Sequence, residues 1–121
     1  FGVLGLNPHN YYNSKNSIEK KVINNSIKKI LNLKIKVKGP VSADSSFMLF
    51  KNEFDVIIGM YHDQVLTPFK AIYNFNAINI TLGLPFYRVS PDHGVGGEIA
   101  GKKIANPESL IESIKFFNSI K

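Results

Sequence analysis

A layered α/β fold with a sheet that is at least partly parallel is the class this sequence predicts, on three observations. Apolar-rich runs of strand length recur along the chain, at Phe1 to Leu6, Asp55 to Met60 and Ala77 to Leu82. Stretches with apolar residues at helical spacing alternate with them. Gly, Pro and Asn mark the breaks, as at Asn7-Pro8 and Gly39-Pro40.

Taken in order, Phe1 to Leu6 reads as a buried strand that opens into a loop at Asn7-Pro8, with His9 just beyond. From Ser17, the residues Ile18, Val22, Ile23, Ile27, Ile30 and Leu31 recur at helical spacing, with Ser17 as cap and Glu19 in the first turn. Lys34 to Lys38 alternates polar and apolar residues, which predicts a strand with one covered face, stopped by Gly39-Pro40. A loop carrying Asp44 follows. Asp55 to Met60 predicts a strand covered on both faces, ending at Tyr61-His62-Asp63-Gln64.

Val65 to Tyr73 predicts a helix with Pro68 near its first turn, and Ala77 to Leu82 a fourth strand. A long Gly- and His-bearing loop runs from Pro85 to Pro107. The last helix, Glu108 to about Ile120, offers Leu110, Ile111, Ile114, Phe116 and Phe117 as a broad apolar surface. No repeat or low-complexity tract interrupts the chain, which reads as one domain or part of one. Because it opens on Phe1, directly in a strand, it is expected to be a piece of a longer protein.

The 121 residues are 44% apolar and 20% charged, a globular balance. Without cysteine there is neither a disulfide framework nor a thiolate metal site, so any metal must take nitrogen or oxygen ligands. No apolar run reaches the roughly 20 residues of a membrane span, and the cytoplasm is the default compartment. The net charge of +6 favours an anionic partner. Its lysines gather between Lys15 and Lys38 on a solvated helix and its flanks without interleaved exposed aromatics, which argues against nucleic acid.

In open α/β sheets ligands bind outside the carboxyl ends of strands, so polar residues placed there are site candidates. His9 follows the first strand and His62 the third, while Asn79 and Arg88 lie on or after the fourth. A lone histidine is more often a surface or core residue than a ligand; two at equivalent strand ends suit a divalent metal such as zinc. His93 stands in a glycine-rich setting that suggests a cofactor loop approached by backbone. Lys70 and Arg88 are candidate anion binders, although by spacing alone Lys70 reads first as a solvent-facing helix residue. Asp44 is read first as a helix cap and second as a substrate contact.

Several motifs occur in order: Gly5-Leu6-Asn7-Pro8-His9, Gly39-Pro40-Val41-Ser42-Ala43-Asp44, Met60-Tyr61-His62-Asp63-Gln64, Asn79 to Phe86 and Asp92-His93-Gly94. Together they resemble the C-terminal portion of the 4-hydroxythreonine-4-phosphate dehydrogenase (PdxA) family of vitamin B6 biosynthesis, from end to end of the chain. Gly97 to Pro107 is similar to the adenine-side cofactor loop of isocitrate and isopropylmalate dehydrogenases. The resemblance implies an isocitrate/isopropylmalate dehydrogenase-like fold in which residues 1–121 form part of a two-domain subunit. It also implies a homodimer with its active sites at the interface.

The implied activity is NAD- or NADP-dependent oxidation of 4-phosphohydroxy-L-threonine followed by decarboxylation to 3-amino-2-oxopropyl phosphate. The implied divalent metal is zinc, magnesium or cobalt, on His9, His62 and a third histidine upstream of Phe1. Asp44, Lys70, Asn79 and Arg88 match substrate-binding positions, with Lys70 and His62 in catalytic roles. Asp92, His93 and Gly94 match the loop that approaches the nicotinamide, and Asn106 a position near the adenosine.

The chain departs from the family pattern at Asn10 to Lys15, where glycines are usual, at Val65-Leu66-Thr67-Pro68 and at His93-Gly94-Val95-Gly96. None of these departures removes an assigned residue. The alternatives are a dehydrogenase of a phosphorylated sugar acid such as 4-phospho-erythronate and, from another class, a non-catalytic phosphate- or nucleic-acid-binding module.

Overall fold

The computed structural model describes residues 1–9, 17–49 and 52–120; the departure at Asn10 to Lys15 lies outside them. The chain divides into two compact units, Phe1–Pro68 and Phe69–Lys121.

The first unit holds β1 (Gly2–Leu4), α1 (Ile18–Asn32), β2 (Lys38–Val41), α2 (Ala43–Leu49) and β3 (Ile57–Ile58). The three strands form one sheet in the order β2-β1-β3, and β1 is parallel to both neighbours. Val3, Ile23 and Ile27 make its core, with Val37, Ile58 and Met60 packed against them. α1 begins as the sequence predicts, with the Ser17 Oγ accepting from the Lys20 N–H at 3.2 Å and Glu19 in the first turn. Its buried stripe is narrower than expected: Ile23 and Ile27 face the core, while Ile18, Val22 and Leu31 are exposed.

Two expectations in this unit are corrected. The strand expected at Lys34 to Lys38 lies at Lys38–Val41. Alternation marks a covered face, but a partner decides which residues pair, and the ladder with β1 runs from Gly2↔Lys38 to Leu4↔Val41: Lys38 N–H donates to the Phe1 carbonyl and Gly5 N–H to the Val41 carbonyl, each at 2.9 Å, while just before the strand the Lys36 carbonyl accepts from the Phe1 ammonium at 2.9 Å. Gly39 sits inside the pairing because a side chain there would place Cβ 2.6 Å from the Val3 carbonyl oxygen. The Gly39-Pro40 bond is cis.

The loop expected around Asp44 is instead the helix α2, and Asp44 lies in its first turn instead of capping it. The Ala43 and Asp44 N–H groups donate to the Pro8 carbonyl, at 2.8 and 3.2 Å. A neighbouring backbone carbonyl thus satisfies the helix start where a side-chain cap was expected.

α3 (His62–Tyr73) spans the boundary between the units. It begins three residues before the expected Val65, so Pro68 lies in its interior and has no N–H to offer the Gln64 carbonyl. The second unit continues with β4 (Ile78–Thr81), β5 (Arg88–Pro91), a 3-10 turn at Gly97–Ile99 and α4 (Glu108–Ser119). β5 lies inside what was expected to be loop from Pro85 to Pro107. It pairs antiparallel with β4, and among the described residues these two form a separate sheet. Its four residues carry no long apolar run, so only pairing reveals it.

α4 packs against β4 and β5. Its buried residues are Ser109 and Ser113, while Leu110, Ile111, Ile114 and Phe117 of the expected apolar surface are exposed. Among the described residues no helix is long and apolar enough to cross a membrane.

Candidate active site

In the first unit, parallel pairing makes all three strands end at one edge of the sheet, with the strand order reversing about β1. That is where α/β sheets take ligands. The chain leaves β1 toward His9, β2 toward Asp44 and β3 toward His62. The sheet therefore brings three sequence candidates to one edge.

At this edge His9 Nε2 lies 3.5 Å from Asp44 Oδ2. The His9 carbonyl accepts from Ser42 Oγ at 2.7 Å, and its N–H donates to Asn7 Oδ1 at 3.0 Å. His62 Nδ1 is 2.6 Å from Asp63 Oδ1. An ionised carboxylate only accepts, so in the neutral imidazole this contact places the proton on Nδ1 and leaves the Nε2 lone pair for a ligand. Both imidazoles are largely exposed.

Sequence reasoning did not single out Gln64, which is buried behind this edge. Its Nε2 donates to the Gly5 carbonyl and its Oε1 accepts from the Met60 N–H, both at 2.7 Å. One side chain thereby straps the loop leaving β1 to the loop leaving β3. The sequence offered only its place two residues after His62; its burial and its two partners come from the fold.

A divalent metal suits these donors: two exposed imidazoles, one oriented by a carboxylate, form a borderline-soft nitrogen set. Among the described residues no three His, Cys, Asp or Glu gather as a metal cage. Two histidines would be only part of the set of about three protein ligands that a catalytic metal site takes.

In the second unit, the cross-strand pairs Asn79↔Ser90 and Thr81↔Arg88 share one face of the β4-β5 ribbon, since successive side chains alternate sides. Arg88 Nη1 donates to Thr81 Oγ1 at 2.9 Å, which fixes one edge of the guanidinium and leaves other N–H groups of this exposed side chain available. The expected anion binders Asn79 and Arg88 thus stand on one polar surface. Lys70, in the last turns of α3, donates to the Asp92 carbonyl at 3.3 Å and lies 3.5 Å from Asp92 Oδ2. It is ion-paired to Asp92 and remains exposed on its helix, so the solvent-facing reading stands beside that of an anion binder.

The loop after β5 surrounds an open depression of about 850 Å³, lined by His93, Gly94, Gly96, Glu98 and Asn106, with Phe75 on one side. Gly96 has φ 57, a left-handed turn that favours glycine. His93 Nδ1 lies 3.1 Å from the Gly94 carbonyl. Asn106 Oδ1 accepts from the Glu108 N–H at 2.8 Å and so serves the start of α4. Three of the four cofactor candidates line this depression, and Asp92 does not.

The family model of the pyridoxal phosphate biosynthetic protein PdxA matches residues 1–117. A 4-hydroxythreonine-4-phosphate dehydrogenase of Sulfurihydrogenibium sp. is 46% identical over 114 residues, 93% of this chain and 35% of that protein. An Oceanobacillus iheyensis protein bearing the provisional name of a D-threonate 4-phosphate dehydrogenase is 39% identical over 116 residues, 93% of this chain and 35% of its own length. The crystal structure of 4-hydroxythreonine-4-phosphate dehydrogenase from Klebsiella pneumoniae superposes with a TM-score of 0.76 at 34% identity, over 95% of this chain and 35% of that one. The chain spans about a third of the length of the curated relatives it matches.

Proposed function

The chain belongs to the family of the pyridoxal phosphate biosynthetic protein PdxA, and from that premise we propose that it forms part of an NAD- or NADP-dependent dehydrogenase of 4-phosphohydroxy-L-threonine. The product after decarboxylation is 3-amino-2-oxopropyl phosphate. The observation that carries this reading is the shared carboxyl edge of β2-β1-β3, which gathers His9, Asp44 and His62 where such sheets bind ligands.

His9 and His62 are the chain's two ligands for zinc, magnesium or cobalt, and the third comes from outside the described residues. When bound, such a metal supplies Lewis acidity that lowers the pKa of a substrate hydroxyl, while the nicotinamide accepts hydride. Asp63 holds the His62 ring with Nε2 presented, and Ser42 and Asn7 hold the backbone of His9. Asp44 lies close enough to His9 to orient it and to accept from a substrate hydroxyl.

In the second unit, Arg88 and Asn79 bind the phosphate-bearing end through the polar ribbon face. Lys70, half-exposed and already tethered, stabilises negative charge or moves a proton at Nζ. The depression lined by His93, Gly94 and Asn106 takes the dinucleotide, the last near its adenosine. The larger assembly is an isocitrate dehydrogenase-like, two-domain subunit in a cytoplasmic homodimer with its active site at the interface. The exposed apolar residues of α4 support a surface covered in that assembly.

The test is metal content and turnover of the full-length protein bearing His9→Ala or His62→Ala. Each is expected to lose bound metal and activity, and normal metal occupancy in both would sink the assignment. A second reading, oxidation of a phosphorylated sugar acid, draws support from the Oceanobacillus iheyensis relative. Turnover of 4-phosphohydroxy-L-threonine against 4-phospho-erythronate and D-threonate 4-phosphate, with each cofactor, separates the two.

A further inference from the structure

We propose that Asp92 is the positioning residue of Lys70, holding its ammonium ready for an anionic substrate, and is not a contact of the nicotinamide cofactor. The proposal rests on the reading of Lys70 as a substrate-binding group.

Asp92 follows β5 directly and engages Lys70 twice. Its carbonyl accepts from Nζ at 3.3 Å, and its carboxylate Oδ2 lies 3.5 Å from the same nitrogen. Oδ2 is buried and, among the described residues, has no hydrogen-bond donor. A buried carboxylate oxygen without a donor is costly unless a cation stands beside it. Lys70 is that cation.

The pair is asymmetric. The Asp92 side chain is only 14% exposed and that of Lys70 45%, so the carboxylate is the fixed member and the ammonium faces outward.

What fixes Asp92 lies behind it. Its N–H donates to Ser109 Oγ at 2.8 Å, and Ser109, 1% exposed on α4, in turn donates to the Ala77 carbonyl. Ser113 Oγ donates to the Ser109 carbonyl at 2.8 Å. The position of Asp92 is thereby tied to the start of β4 and to the packed face of α4.

An ammonium has three N–H donors. One goes to the Asp92 carbonyl, and two remain for a phosphate or carboxylate. A lysine stem is flexible, and ordering it at the moment of binding costs affinity. Asp92 orders it beforehand. The depression that carries His93, Gly94 and Asn106 does not include Asp92, which separates it from the other cofactor candidates.

Steady-state kinetics of the full-length enzyme test this with Asp92→Asn, Lys70→Met and the double variant, varying substrate and cofactor independently. Asp92→Asn is expected to lower kcat/KM for the phosphorylated substrate about tenfold or more, as loss of a charge-assisted contact does, while the KM for NAD(P) changes by less than about twofold. In the Lys70→Met background it is expected to change nothing further, because the two act as one unit. Asp92→Glu, which keeps the charge, recovers part of the loss.

A raised cofactor KM with substrate kcat/KM intact would make Asp92 a cofactor contact and overturn the proposal. Additive losses in the double variant would do the same. Should Asp92→Asn not fold, Ser109→Ala carries the test: it frees the Asp92 backbone without touching either charge, and it must lower substrate kcat/KM at constant cofactor KM. Undiminished substrate kcat/KM in Lys70→Met defeats the substrate role of Lys70 itself. A silent Asp92→Asn beside a crippled Lys70→Met defeats only the positioning role.

Discussion

Replacing Gln64 by Leu removes the strap between the two histidine-bearing loops while keeping a side chain of similar size. The Gly5 carbonyl then loses its 2.7 Å donor and the Met60 N–H its 2.7 Å acceptor. An unsatisfied buried polar group costs about 1–3 kcal/mol. Gln64 is 7% exposed but Met60 is half-buried, so water relieves part of the second loss; about 2–4 kcal/mol remains.

Amide hydrogen exchange resolves where that cost falls, because local opening is measured group by group. Met60 N–H loses protection simply because its acceptor is gone. Gly5 N–H is the informative probe, since its own acceptor, the Val41 carbonyl at 2.9 Å, is untouched. A local loosening of about 2 kcal/mol speeds its exchange about thirtyfold. Metal affinity of the full-length protein should fall with it, as the spacing of His9 and His62 is no longer held. Unchanged exchange at Gly5 in a folded Gln64→Leu protein would refute the strap, whatever happens at Met60.

Two further outcomes follow from local geometry. Gly39→Ala places Cβ 2.6 Å from the Val3 carbonyl oxygen and 2.9 Å from Val3 Cβ, on the central strand, where neither can give way. A loss of about 3 kcal/mol or more is expected, seen as poor soluble yield or an early urea midpoint. Asn106→Ala removes the acceptor for the Glu108 N–H and costs about 1 kcal/mol of α4 stability, whereas Asn106→Asp keeps that acceptor and adds a favourable charge at the helix start. A thermal melt near that of the parent together with a raised KM for NAD(P) in Asn106→Asp would separate the cap from the proposed cofactor contact.

Much of the first unit was legible because its signals are local. The Ser17 cap and the Ile23–Ile27 spacing mark α1, and the apolar runs at Phe1 to Leu6 and Asp55 to Met60 contain β1 and β3. Motif order was enough to name a family, and the chain belongs to it. The strand-end candidates His9 and His62 were readable for the same reason, since a polar residue after an apolar run is visible in one dimension, whereas Asp44, read first as a helix cap, joined them only once Lys38–Val41 proved to be the strand.

Pairing and burial were not. Lys34 to Lys38 has the better strand pattern, yet Lys38–Val41 is the strand, because the ladder with β1 runs from Gly2↔Lys38 to Leu4↔Val41. β5 has no apolar run and exists through its ladder with β4. α4 turns Ser109 and Ser113 inward, not its leucine and isoleucines, because the groups it meets there, the Asp92 N–H and the Ala77 carbonyl, are polar and must be satisfied. The same rule picked out Gln64, whereas the donor-less Asp92 Oδ2 is matched by the charge of Lys70. Residue order thus determined the strand-end candidates, the caps and the family, while tertiary structure decided which buried donors meet which acceptors. Hydrogen-bond satisfaction depends on neighbours as far apart in sequence as Gly5 and Gln64, and no local pattern encodes it.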